Sequence, residues 1–113
     1  MPEPSRLSLK IHAEGDEAVV ACSGKLVIGV TDTLWKEVRE LIPNHKRVVL
    51  DLTDLVQMDS MGLGTVVRLL VSAKSAGCRL ELINLSKRVR ELFGITNLLS
   101  AFEVCGEQRT KLP

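Results

Sequence analysis

The chain has 113 residues and a formal net charge of +1, which suits one small core and is too short for two lobes around a cleft. Near-neutral charge gives no footprint for wholesale binding to nucleic acid or to an anionic membrane. The only aromatics are Trp35, Phe93 and Phe102, too few for a single-strand stacking platform.

No apolar run approaches the roughly 20 residues that span a bilayer. Met1-Pro2-Glu3-Pro4-Ser5-Arg6 lacks the apolar stretch of a signal peptide, so a cytoplasmic protein is expected. Cys22, Cys78 and Cys105 are odd in number and form no C-x-x-C pair. They read as buried or incidental thiols in a reducing compartment, not as a disulfide frame or a zinc site.

Residues 1–6 are expected to be loose, 7–105 to form the domain, and 106–113 to fray. Leu7, Leu9 and Ile11 alternate with polar residues, the period of a half-buried strand. After the turn at 14–17, Ala18–Cys22 reads as its hairpin partner, ended by Ser23-Gly24-Lys25. Gly24–Val30 is an apolar connection without a clear period. Thr31 or Asp32 then caps a helix whose stripe Leu34, Val38, Leu41 and Ile42 faces a core, and Pro43-Asn44 stops it.

Val48–Leu52 is nearly continuous in apolar residues, as in a central strand covered on both sides, with Thr53-Asp54 as its break. Met58-Asp59-Ser60-Met61-Gly62-Leu63-Gly64 follows and hands over to a helix from Met61 or Gly62 to Ala76, apolar around most of its circumference. Asp59 and Ser60 are good N-cap residues, and Gly62 and Gly64 let another molecule approach the first turn. Gly77 is the C-cap. Arg79–Leu85 is the next strand, giving a βαβ unit with parallel strands. Ser86 caps a third helix with Val89, Leu92 and Phe93 inward, ending at Gly94. A helical turn over 96–102 and an edge strand at 102–104 complete the chain.

Catalytic and cofactor chemistry finds little support. Gly62-Leu63-Gly64-Thr65-Val66-Val67 starts like a dinucleotide fingerprint, with Glu81 about twenty residues on, but Val67 replaces the third glycine. The phosphate-loop pattern is absent. Ser60 lacks the G-x-S-x-G frame, and neither His12 nor His45 is placed beside it. Asp51, Asp54 and Asp59 could be drawn as a metal cluster, but Asp54 and Asp59 read as turn and cap residues. Lys87, Arg88 and Arg90 read as a solvated helix face more than a site for phosphate or an acidic partner. No cofactor is implied.

The order strand, strand, Gly24-Lys25-Leu26, helix, Val48-Val49-Leu50-Asp51-Leu52, then D-S-x-G-L-G at 59–64 and Val89-Arg90-Glu91-Leu92-Phe93, resembles the STAS domain family. The likeness is to the bacterial anti-sigma factor antagonists and runs from about Leu7 to Val104. It implies a single α/β domain with a mixed four- to five-stranded sheet and helices mainly on one face. It also implies a binding module, not an enzyme. Its partner would be an anti-sigma factor that is also a serine kinase, in a partner-switching pathway that governs transcription. Docking would use Asp59, Ser60, Met61, Gly62, Leu63 and Gly64 with Thr65 and Arg68 on the exposed edge of the helix.

Three departures matter. The family's usual phosphoacceptor, just before the first glycine, is Met61 here. Either Ser60 takes the phosphate or the domain is not switched this way. Val27 replaces an acidic residue often found after G-x-L, and little chain follows Val104, leaving sheet surface open to a partner or a second copy. Two other roles stay open: a constitutive STAS subunit of a transport or signalling complex, and a small nucleotide-binding domain.

Overall fold

The structure, a computed structural model, describes residues 7–96 and 103–104. β1 (Ser8–Glu14) and β2 (Glu17–Leu26) form an antiparallel hairpin. α1 (Thr31–Leu41) tightens into a 3-10 turn at Ile42–Asn44, where Pro43 cannot continue the helix. β3 (Arg47–Met58), α2 (Ser60–Ala76), β4 (Arg79–Ile83), α3 (Lys87–Thr96) and β5 (Glu103–Val104) follow. The sheet order is β1-β2-β3-β4-β5, and every pairing except β1–β2 is parallel. The mixed sheet and the parallel strands on either side of α2 agree with the sequence pattern.

One core organises the domain. Ala18, Val20 and Cys22 of β2, Val48, Leu50 and Leu52 of β3, and Leu80 and Leu82 of β4 alternate along their strands and point the same way. They meet Leu34 and Val38 of α1, Leu63, Val66, Leu69 and Ala73 of α2, and Val89 of α3. The helices therefore share one face of the sheet. Val49, on the alternate row of β3, is also fully buried, as its continuous apolar run requires.

Several boundaries differ from expectation. Thr53-Asp54 does not break β3, and Ser23-Gly24-Lys25 does not end β2. The two strands continue side by side to Leu26 and Met58, with register shifts between Ala21 and Ser23 and between Gly24 and Lys25. Gly24 has φ +94, a left-handed conformation that suits the irregularity. Buried residues of β3 then recur at Leu52, Leu55 and Met58, every third position instead of every second. A period-2 search cannot see that pattern. β4 ends at Ile83, before Leu85, because Asn84 takes φ 59 and donates from Nδ2 to Asp51 Oδ1 at 3.2 Å.

α1 has no side-chain cap: Val30 is the N-cap, and neither Thr31 nor Asp32 serves. Ser86 does cap α3, its Oγ accepting from the Val89 N–H at 3.2 Å. α3 passes through Gly94 to Thr96, since glycine lowers helix propensity by only about 1 kcal/mol. α2 is not buried all round, as its apolar circumference would suggest: Val71 is 61% exposed. The inward positions expected for Leu92 and Phe93, the helical turn after Thr96, Cys105 and the polar tail lie outside the described side chains and residues.

The sheet row opposite the core carries charge. Arg47 reaches Glu17 at 3.3 Å and Glu81 at 2.7 Å, and Arg79 reaches the second oxygen of Glu81 at 3.4 Å. Glu81 is only 2% exposed, so its charge depends on these cations. Arg47→Ala is expected to cost about 3 kcal/mol in urea denaturation, the low end for a broken buried pair, because Arg79 remains.

Candidate functional site

The turn between β3 and α2 is fixed by one carboxylate. Asp59 is the N-cap of α2, and its Oδ1 accepts from the Gly62 N–H at 2.9 Å. Its Oδ2 accepts from the Ile28 N–H at 3.0 Å, in the loop between β2 and α1. The Asp59 N–H donates to the Leu26 carbonyl at 3.3 Å. One residue thus ties the start of α2 to a loop 31 positions earlier. Burial alone pushes the Asp59 carboxyl up, but the N–H groups of Ile28, Gly62 and Met61 outweigh it and hold the carboxyl below its ordinary value.

The two glycines do different work. A Cβ on Gly62 would collide with the Leu26 carbonyl oxygen and lie 2.9 Å from Leu26 Cγ. Gly62 is buried and lets the chain's own β2 approach, so it is not open to another molecule. A Cβ on Gly64 would meet nothing within 4 Å. The bare backbone at the surface is at Gly64.

The other site residues divide between core and surface. Leu63 is in the core, and Thr65 is buried with its Oγ1 donating to the Met61 carbonyl at 3.1 Å. Ser60 is exposed at the first position of α2, and no hydrogen bond of its hydroxyl occurs among the described residues. Met61 is 52% exposed and Ile28 69% exposed. Arg68 is exposed two turns further along the same face, its guanidinium 4.1 Å above the Trp35 ring of α1. The surface is therefore Ser60, Met61, Gly64 and Arg68, joined by Ile28 and Trp35. Sequence reasoning missed these last two. Ile28 lay in a connection without period, and Trp35 falls next to the α1 stripe.

The alternative chemistries lose their parts. Glu81 faces Arg47, not a ribose. Asp51 accepts from the Thr53 N–H and hydroxyl and from Asn84, whereas Asp59 serves Ile28 and Gly62. Among the described residues, no three His, Cys, Asp or Glu side chains are grouped to hold a metal. His45 Nδ1 lies 2.8 Å from the Leu41 carbonyl oxygen, at the other end of β3 from Ser60, and His12 pairs with Glu14 on exposed β1. Burial, aided by Asp51, pushes the Cys22 thiol up to about 12, which makes it a poor nucleophile. No helix among the described residues is long and apolar enough to cross a membrane.

Residues 9–109 match the model of the STAS domain. The chain belongs to the STAS domain family. A STAS-domain containing protein of Pseudomonas aeruginosa is 25% identical over 92 residues, covering 81% of this chain and 91% of its own. This STAS domain also superposes on TM1081 of Thermotoga maritima, a protein named for an anti-sigma factor antagonist role. The TM-score is 0.81 at 22% identity, over 90% of this chain and 88% of the other. The phosphorylated form of the Bacillus cell fate determinant SpoIIAA gives 0.70 at 18% identity, over 89% and 94%. The fold also recurs within a murine anion transporter, Slc26a9, at TM-score 0.69 and 14% identity, where 81% of this chain covers 16% of that one. The domain thus has the fold of the anti-sigma factor antagonists.

Two consequences of the turn can be measured. Gly62→Ala is expected to cost about 1–3 kcal/mol of stability through overpacking, whereas Gly64→Ala is expected to be neutral or to gain up to about 1 kcal/mol of helix propensity. Thermal unfolding of the two variants separates these outcomes. Asp59→Ala removes the cap and should cost about 1–2 kcal/mol near neutral pH. Because folding lowers this carboxyl below 3.8, its contribution is complete above that pH and fades as pH falls through the folded value. The gap between the parent and Asp59→Ala should narrow in acid.

Proposed function

We propose that this STAS domain is an anti-sigma factor antagonist-type docking protein that binds an anti-sigma factor with serine kinase activity in a partner-switching pathway. The observation that carries the proposal is the surface at the start of α2. Ser60, Met61 and Ile28 stand exposed on a backbone held rigid by Asp59, and among the described residues no histidine lies beside Ser60 and no metal set accompanies them. A rigid apolar surface loses little entropy on binding, which favours a protein partner. Support also comes from the likeness to SpoIIAA, one of whose structures is of a phosphorylated form.

Ser60 is the candidate phosphoacceptor. A phosphate there would carry roughly −1.5 to −2 charges at a helix N-terminus, where the fold tolerates an anion. It would also stand beside the Asp59 carboxylate and the exposed Met61, turning an apolar contact surface into an anionic one. Such a change acts on docking more than on stability.

A second role is favoured by one feature. The residue before the first glycine is Met61, which accepts no phosphate and presents an apolar side chain to solvent. A constitutive STAS subunit of a transport or signalling complex would use it without a switch. In a pull-down against the candidate anti-sigma kinases of the same genome, the chain is expected to retain one of them. Met61→Asp is expected to weaken that binding at least about tenfold, with the circular dichroism unchanged. Incubation with the retained kinase and ATP should add one phosphate mass, absent in Ser60→Ala. Binding without phosphate transfer selects the constitutive role, and a folded chain that retains no kinase removes the antagonist role.

A further inference from the structure

The exposed line of α2 runs Met61, Gly64, Arg68, Val71, Ser75, at steps of three and four residues that keep one face of a helix. Met61 and Val71 are the exposed apolar residues on it, about 15 Å apart by helical rise. Arg68 lies between them. Its guanidinium stacks on Trp35 at 4.1 Å, and the guanidinium of Arg39 stands 5.9 Å from the same ring. Two cations thus share one indole. Among the described residues neither makes an ion pair with an acid, although Asp32, Glu37 and Glu40 lie on the same helix as Trp35.

Stacking occupies the flat face of a guanidinium and leaves its edge, with the N–H donors, pointing outward. The ring therefore holds Arg68 in place without satisfying it. A carboxylate suits that edge, since its two oxygens match the fork and form paired charge-assisted bonds. Because stacking has already restricted the side chain, less entropy is lost on binding. The flanking Met61 and Val71 ask for apolar side chains on either side of the anion. A free phosphate or a metabolite would use the cations and leave both apolar residues unused.

We propose that the Arg39–Trp35–Arg68 cluster is a carboxylate-recognition site, and that its occupant is an acidic side chain, flanked by apolar ones, on the protein that docks along α2. The inference rests on the docking role of this face and adds the chemistry of the partner's contact. It assigns recognition to arginines beyond the turn, while Met61 supplies apolar contact.

Trp35 is the only tryptophan in the chain, so its emission reports on the site directly. The probe is a synthetic amphipathic peptide of leucine and glutamate, compared with its leucine and glutamine counterpart, with sodium phosphate and with free glutamate. Calorimetry is the second readout, because Arg68→Gln alters the emission baseline. The expected result is a saturable response to the acidic peptide. It should weaken at least about tenfold in the glutamine peptide and in Arg68→Gln, less in Arg39→Gln, and not in the control Lys74→Gln. An equal response to phosphate or free glutamate would overturn the protein occupant. Equal binding of both peptides, untouched by Arg68→Gln but lost in Met61→Asp, would overturn the carboxylate site and leave apolar docking standing. No response to either peptide also overturns it, whereas the docking role itself is judged by the kinase pull-down.

Discussion

The surface of this domain depends on two hydrogen bonds to one carboxylate. Oδ1 of Asp59 holds the first turn of α2, and Oδ2 holds the loop that carries Ile28. Neither bond would fix the surface alone. The first sets where the helix begins, and so which residues of its opening turn face outward. The second brings the loop to that turn. Because the acceptor is an ionised group, each bond is stronger than a neutral one. The carboxyl is held in its charged form by the same donors it orients.

Gly62 completes the arrangement from inside. The carbonyl of Leu26 occupies the space a side chain would need there, so β2 and α2 touch backbone to backbone at the end of the sheet. That closeness lets the Asp59 N–H reach the same carbonyl. The pattern D-S-x-G-L-G thus mixes two kinds of requirement. Its aspartate, first glycine and leucine serve the fold, while its serine, the following Met61 and second glycine are at the surface. A motif read as a single docking element proves to be half architecture.

How much of this was legible in the sequence varied with the physics involved. The hairpin, the α1 stripe and the parallel strands around α2 follow regular periods, and regular periods can be read. The far halves of β2 and β3 do not, because their register slips twice and the buried spacing becomes three. The D-S-x-G-L-G turn was visible, yet the partner of Asp59 on the loop was not, since that contact joins positions far apart in the chain. Glu81 stood out in the sequence only for its distance from the glycines of the α2 turn. Its burial follows from Arg47 on the neighbouring strand, a cross-strand relation no local pattern carries. Met61 was conspicuous as a departure from the family, but only packing could place it in solvent.

β1 is exposed along most of its length and pairs, among the described residues, with β2 alone. Its outer strand position offers backbone groups to any other extended chain, the usual route to aggregation. Lys10, His12 and Glu14 line the polar row of this strand, and an incoming strand would have to lay its side chains against theirs. Charges on an edge discourage such pairing. The border of the sheet farthest along from β5 is thereby guarded against indiscriminate strand pairing, although its backbone groups face outward.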